Sequence, residues 1–594
     1  MTEENRNLIL AFSLSMLVLF GWFYFVDRPR MEAEQAKLQT SAQQAPAVLP
    51  QAGAPADVSG IPQPDAVPSG GAAVPGHDAP GAAVATRTEM LARTPRIRID
   101  NGQVHGSISL QGARLDDLTL ATYHETVSDK SPEIILLSPA GSPEPYYAEY
   151  GFVNADGAKI PLPDSQTLWT GDLNRVLSPG EPVTLKWDNG AGLKFTRTIE
   201  VDEHYLFTIT ERVENTGAAA VSLMPYGLVS RHYTPPVSGY YILHEGLLGV
   251  LNGGLNEITY EDIREAPSVK LQGTGGWLGI TDKYWLVSLI PDQTANFTGG
   301  FSYRPLGARD RYQADYLRDA VTIAPGQSAD ITNRLFAGAK KVSLIDAYAD
   351  KYSITLFDRA IDWGWFYFLT KPLFVVINWF YVLTGNFGIA IILLTVVVKA
   401  AFFPLANKSY VAMSRMKKLQ PLMLEIREKF PDDKVRQQQE MMDMYKREKA
   451  NPLSGCLPML VQIPVFFALY KVLFVTIEMR HAPFFGWIQD LAAPDPTSLF
   501  NLFGLIPWTP PGFLLIGIWP ILMGVSMWMQ QRLNPAPTDP VQEKVFMWMP
   551  VFFTFLLGTF PAGLVIYWTV NNVLSIIQQA LIMKREGAEV SFRW

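Results

Sequence analysis

Apolar residues follow three different rules along this chain. Near the start they form one unbroken run, Leu8 to Val26, closed by Gly21, Trp22, Phe23, Tyr24 and Phe25. Nineteen residues is enough for a helix to span a bilayer. A cleaved signal peptide has a shorter apolar core and a small-residue cleavage site. Residues 1–27 therefore read as an uncleaved transmembrane signal anchor with an aromatic interface belt. From about Pro95 to Phe336 the rule becomes alternation. RIRID, GSISL, EIILLS, VTLKW, LKFTRTIEV, YLFTITERV, AVSLMPYGLV, WLVSLI and AVTIA each read as a strand. Asn101-Gly102 and Asn189-Gly190 are hairpin turn signals. Residues 93–345 are expected to form a large antiparallel β-sandwich. After Gly385 the unbroken runs return, at 385–405, 456–477, 513–531, 545–560 and 563–583, giving six spans in all.

The connecting stretches differ in kind. Within the 28–92 segment, Ala, Pro and Gly supply 27 of the 46 residues from Ser41 to Thr86, and none is aromatic. Such a composition buries too little apolar surface to offset chain entropy, so a disordered linker is expected. Residues 346–384 mix aromatics with Asp358, Arg359, Asp362 and Lys371. They suit an amphipathic helix lying in the membrane interface, with a full span from Gly364 to Thr384 as the rival. Residues 406–455 are charged and helical, broken at Pro431-Asp432-Asp433 into a helical hairpin. From Ala406 to Ala450 basic residues outnumber acidic ones eleven to seven.

That basic excess places the hairpin in the cytoplasm. The sandwich then lies outside, as does the loop 478–512, whose only basic residue is Arg480. Both chain ends fall inside, with a tail at 584–594 carrying Lys584, Arg585 and Arg593. A further span within 346–384 would move the eleven basic residues outside, so the interfacial reading is preferred.

Composition supports a part-lipid chain: 48% of the 594 residues are hydrophobic and 18% charged. A net charge of −7 gives no reason to expect direct nucleic-acid binding. The single cysteine, Cys456, excludes an intrachain disulfide framework. No histidine falls inside an apolar span and no metal-ligand cluster is visible. In the sandwich, Gly273, Gly275, Gly276 and Gly279 lack the strand–turn–helix context of a dinucleotide site. Its aromatics are expected in the core rather than in a sugar or peptide cleft.

One charge stands inside the 385–405 span, Lys399, with Thr395 one turn before it. A cation at bilayer depth costs about 2.5–3.5 kcal/mol on insertion scales, which marks a candidate functional site. Snorkelling to the interface is the alternative, since Pro404 follows within about 8 Å of helix. Gln462, Ser526, Gln530, Thr554, Tyr567, Asn571, Asn572 and Ser575 are uncharged polar positions in the spans. Singly each suits helix–helix hydrogen bonding; jointly they could line one wet cavity with Lys399. Met413, Met416, Met423, Met441, Met442 and Met444 run along the hairpin, either as an adaptable binding surface or as the seam between its helices. There is no carboxylate relay, paired carboxylate or nucleophile–base motif, so an enzyme is not expected and no cofactor is called for. A polytopic solute transporter with an extracytoplasmic receptor domain remains the alternative, followed by a membrane-anchored scaffold.

Longer motifs narrow the choice. NRNLIL, GGWLGITDKYWLVSLIP, TVVVKAAFFPL, the hairpin run from MKKLQPLMLEIREKFPDDKV to LPMLVQIPVFFALY, EMRHAPFFGWIQDL, DPVQEKVFMWMPVFFTF and FPAGLVIYWTVNNVLSIIQQ extend over nearly the whole chain. In these segments it resembles the YidC/Oxa/Alb family of membrane protein insertases, in the form found in the Gram-negative inner membrane. The resemblance implies a five-helix insertase core forming a hydrophilic, positively charged groove open to cytoplasm and lipid. It implies insertion, folding and assembly of integral membrane proteins, alone or with the Sec translocon. The family's groove cation is commonly arginine; Lys399 stands there and keeps the charge but not the bidentate fork. Thr395 and Tyr567 match positions that meet the incoming chain, and Trp568 replaces a second tyrosine. The hairpin matches the element that first receives substrate. Implied partners are nascent membrane proteins, the Sec translocon with its accessory subunits, membrane lipids, and a ribosome or signal-recognition-particle receptor.

Overall fold

The computed structural model describes residues 85–155, 159–237, 243–307, 309–431, 433–448, 457–506, 508, 510–511, 514–534 and 540–587. The signal anchor, the linker up to residue 84, Cys456 and the end of the tail lie outside the described residues. The last part of the stretch assigned to a disordered linker needs correction. Arg87–Leu91 is a short helix, α1, and Thr86 and Glu89 form a capping box at its start. An Arg87–Asp117 ion pair pins it to the sandwich.

The alternating region is a two-sheet sandwich, as its pattern predicts. One sheet has eleven strands, nine of them in the order Ser268–Thr274, Asn296–Leu306, Arg309–Arg318, Val221–Arg231, Tyr146–Asn154, Leu115–His124, Val104–Ser109, Arg96–Asp100 and Val176–Leu177, with Val321–Ile323 paired to Val221–Arg231 and Glu133–Leu137 to Leu115–His124 off that path. The other has eight, in the order Gly254–Thr259, Gly246–Leu251, Gly276–Thr281, Trp285–Ile290, Ser328–Ala339, Leu206–Asn215, Leu193–Val201 and Val183–Asp188. Neighbours are antiparallel except for the short Val176–Leu177 edge, which pairs parallel with Arg96–Asp100. Both Asn-Gly signals sit at hairpins, with Gly102 and Gly190 at φ of 79° and 65°. Helix α2, Asp262–Glu265, interrupts the strands once.

Strand Leu193–Val201 shows how alternation builds the core. Leu193, Phe195, Ile199 and Val201 point inward, and so does Arg197. A charge at 2% exposure is tolerable only when paired and hydrogen-bonded. Arg197 meets Glu211 at 2.6 Å, donates to the carbonyls of Tyr150 and Ala113, and lies 4.9 Å from the Trp169 ring centroid. The sandwich aromatics are mostly core, with Tyr205, Tyr226, Trp277, Tyr312 and Tyr316 all buried. Gly279 belongs to a close strand contact, because a Cβ there would fall 2.0 Å from the Val287 carbonyl oxygen.

The segment 346–384 is not one helix. Helix α3, Val342–Tyr352, stops at Ser353, whose φ is +53°. A turn at Phe357–Ala360 follows, and helix α4 runs from Tyr367 to Thr384. Gly364 takes a φ of +71° just before α4. The expected single span at 385–405 is also corrected. Helix α5, Phe387–Ala401, bends by 67° into α6, Phe403–Lys418. Pro404 has no N–H to offer Ala400, so the ladder breaks there. The first hairpin helix is thus continuous with the membrane region.

The hairpin continues through α7, Gln420–Lys429, and α8, Lys434–Arg447, separated where Pro431 predicts a break. Helices α9, Leu457–Val475, α10, Ile518–Leu533, α11, Pro540–Leu557, and α12, Ala562–Arg585, complete the bundle. Helix α11 begins five residues before the expected span at 545. Among the described residues, α4 and α12 are long and apolar enough to cross a membrane, and α5 with α6 makes a third if the bent pair is one span.

Candidate functional site

Helix α12 is the hub of the site, packing against α5, α6, α9 and α10. Its polar residues recur at the spacing that stacks side chains on a helix face: Tyr567, Asn571 and Ser575. Lys399 lies in the last turn of α5, where a cation suits the helix C-terminus. Its Nζ donates to Ser575 Oγ at 2.6 Å, and Ser575 donates in turn to the Asn571 carbonyl at 2.7 Å. Among the described residues Lys399 makes no ion pair. A cleft opens beside it, lined by Val398, Lys399, Phe402, Leu405, Ala406, Tyr410 and Gln462. Gln462, on α9, donates from Nε2 to the Tyr567 hydroxyl.

The groove residues expected from sequence separate into three groups. Lys399 and Gln462 line this cleft, Tyr567 is bonded to Gln462 behind it, and Asn571 contributes its backbone carbonyl to Ser575. Ser526 and Thr554 belong to the α10 side. Ser526 accepts from Asn572 Nδ2 at 3.0 Å and donates to the Met523 carbonyl. Thr554 donates to the Pro550 carbonyl at 2.8 Å and packs on Gly524, where a Cβ would lie 2.0 Å from its hydroxyl. Gln530 is half-buried one turn beyond Ser526. The third group is packing. Thr395 is 1% exposed and its hydroxyl bonds back to the Ile391 carbonyl at 2.7 Å, which satisfies it within its own helix. Trp568 is half-buried, edge-on to Phe466 at 4.7 Å and beside Phe553 at 5.9 Å.

Ser575 is the partner of the lysine, yet in the sequence it is one polar position among many. The four-residue spacing from Tyr567 through Asn571 is the signal that selects it. Tyr410 carries no such signal, because only the 67° bend brings α6 alongside the end of α5.

The hairpin methionines divide as well. Met423 and Met444 are buried in the α7–α8 seam, and the Tyr445 hydroxyl reaches Met423 Sδ at 3.7 Å. Met442 is 49% exposed, while Met413, Met416 and Met441 are half-buried. Lys418 ties the hairpin to the end of α12 through the Glu586 carbonyl at 2.7 Å.

Chemically, the cleft offers a single ammonium, a carboxamide and hydroxyls against apolar walls. It can hold a carboxylate or a carbonyl, and it holds no group placed to break a bond. Comparison with known proteins identifies the family. Residues 96–376 match the family description "YidC periplasmic domain" and residues 379–589 match "60Kd inner membrane protein". The membrane protein insertase YidC of Bradyrhizobium diazoefficiens is 54% identical, covering 99% of this chain and 98% of its own length. That of Brucella suis is also 54% identical, over 99% and 97%. A crystal structure of an active YidC insertase with its first transmembrane domain resolved aligns at 17% identity and a TM-score of 0.35, over 82% of this chain and 93% of its own. With two matched domains in order and full-length relatives at this identity, the chain belongs to the YidC family of membrane protein insertases, inner-membrane proteins with a periplasmic domain and transmembrane helices.

Proposed function

We propose that this chain inserts, folds and assembles integral membrane proteins, alone or with the Sec translocon, by receiving their polar flanks in the cleft at Lys399. The observation that carries this is the lysine itself, held by one neutral hydroxyl and paired with no carboxylate among the described residues. An ammonium has three donors, so an incoming carboxylate finds a charge and open hydrogen-bonding capacity. Moving unsatisfied polar groups through hydrocarbon costs several kcal/mol each, and a wet cleft partway across shortens that path. The apolar segment then leaves sideways into lipid, driven by roughly 25 cal/mol per Å² of apolar surface removed from water.

In this reading the chain crosses the membrane six times with both ends in the cytoplasm. Helix α4 lies along the periplasmic interface and the hairpin receives the substrate. Exposed Phe368, Val375, Trp379, Val382 and Leu383 give α4 an apolar outer face, which supports its contact with lipid. Nascent membrane proteins are the clients. The Sec translocon with its accessory subunits, and a ribosome or signal-recognition-particle receptor, are the further partners.

The test uses purified protein in liposomes with a single-span client bearing an acidic translocated tail. Protease-protected insertion is scored for wild type, Lys399→Ala, Lys399→Arg and Lys399→Glu. Wild type and the arginine form should insert. The alanine form should lose about tenfold, in keeping with a charged hydrogen bond worth about 1.5–3 kcal/mol. The glutamate form should be worst for acidic tails. Equal insertion by all four would remove the lysine from the mechanism.

A further inference from the structure

Outside the cleft, the loop between α9 and α10 presents an apolar surface that the cleft does not explain. Between Asp495 and Arg532 there is no Asp, Glu, Lys, Arg or His. Within that stretch Leu499, Phe500, Leu502, Phe503, Leu505 and Ile506 all face outward, Leu505 at 83% exposure. A water-facing loop is ordinarily polar, and a contiguous apolar surface of this kind marks an interaction site.

The backbone of this loop is folded to serve itself. The N–H groups of Leu499, Phe500, Phe503, Leu505, Ile506 and Trp508 donate to Ile516 O, Ser498 Oγ, Ser498 O, Leu502 O, Asn501 O and Ile506 O. Leu502 and Phe503 take φ of 48° and 58° to close the turn. That is a conformation bulky side chains seldom adopt, held by the surrounding bonds. Its base is fixed at Asp495, which is 3% exposed. Asp495 accepts from Trp487 Nε1, from the N–H and hydroxyl of Thr497, and from the Trp519 N–H at the start of α10.

An apolar exterior over an internally bonded backbone is what a hydrocarbon environment demands of a segment. The loop is bonded to the start of α10 through Leu499 N–H to Ile516 O and Trp519 N–H to Asp495, and Leu522 and Val525 of α10 are exposed apolar residues. Its side of the membrane follows from Arg480 at its other end. Arg480 bonds the His124 carbonyl and lies 5.5 Å from the Trp285 ring of the periplasmic sandwich. From these we infer that the 499–506 loop is a lipid-inserted wedge, seated in the periplasmic leaflet beside the outer end of α10. It requires only that the chain be in a membrane, and stands whether or not Lys399 handles clients.

The test places a single cysteine at Leu505, and separately at Phe500, in a Cys456→Ala background. Gln489→Cys, on an exposed part of the same loop, is the water-facing control. Each is labelled with an environment-sensitive fluorophore in the full chain and reconstituted into liposomes holding no other protein. Doxyl-labelled lipid should cause a marked loss of fluorescence at 505 and 500 and little at 489, while aqueous iodide should do the reverse. Iodide quenching at 505 equal to the control would overturn the inference. So would protection from both quenchers, which would mean that protein covers the loop. A position open to iodide until a client is added would assign the surface to clients instead of lipid.

Discussion

Glu478 has the least comfortable carboxyl at the junction of sandwich and membrane helices. One oxygen accepts from the Val342 N–H at 2.8 Å, at the start of α3, and the other is buried without a hydrogen-bond partner. Burial pushes its carboxyl up from 4.5 to about 7, against the opposing effects of the Val342 bond and of Lys341. Tyr123 and Arg480 share its surroundings. A folded value above the unfolded one means that the native state binds the proton more tightly. The resulting stabilisation is complete below about 4.5 and is lost as pH rises through about 7. Glutamine keeps the acceptor for Val342 and cannot ionise. Glu478→Gln should therefore match wild type at pH 4 and exceed it by up to about 3 kcal/mol at pH 8. Thermal unfolding in detergent at the two pH values measures this. Equal or lower stability of the variant at pH 8 would mean that the charged form is the one the fold uses.

At the scale of elements, the hairpin divides its methionines by exposure. Met444, at 2%, seals the α7–α8 seam, whereas Met442, at 49%, faces outward. Truncating a buried methionine costs about 2–5 kcal/mol, and a two-helix seam sits at the low end. Met444→Ala should thus speed hydrogen exchange across residues 420–447, and Met442→Ala should leave it unchanged. A photo-crosslinker at 442 should capture a client that one at 444 does not. Such elements were legible to different degrees. The sandwich strands follow from period-two alternation, because a half-buried strand records its orientation in every second residue. Helix existence followed from unbroken apolar runs, but helix ends did not. Nothing in composition says that Pro404 would turn a membrane helix by 67° into the hairpin, or that Ser353 would end α3. The cleft was legible as a set of residue types and not as a set of contacts. Lys399 and Ser575 are 176 residues apart, and their meeting is a product of packing. Thr395 looked equally available, yet a hydroxyl in a helix can satisfy itself on the preceding turn, and this one does.

For the whole molecule, the question is how far the membrane core depends on the sandwich. Two kinds of contact join them. Some come from the strands: Lys283 lies 3.5 Å from the Phe474 ring, and Arg480 reaches the His124 carbonyl. Others come from the connector that follows them. Asp362 pairs with Lys471 of α9 at 2.8 Å and accepts from the His244 N–H at 3.0 Å, while Val342 donates to Glu478. Lys471 is 14% exposed and Asp362 19%, so solvent screens their pairing only in part. Losing one partner of a fully buried pair costs about 3–5 kcal/mol, and this pair should fall somewhat below that. Removing residues 96–336 takes away the first kind of contact and leaves Asp362 in place. Removing 96–366 takes both, including the Asp362 carboxylate that meets Lys471 at the outer end of a helix that carries Gln462 of the cleft. The shorter deletion should therefore retain most insertion activity in liposomes with a lowered melting temperature, and the longer one should lose it. Asp362→Asn in the full chain separates charge from bulk: it should reproduce much of the loss while the sandwich stays folded. If both deletions insert equally well and the point variant is silent, the connector is only a tether, and α9 is positioned from within the bundle.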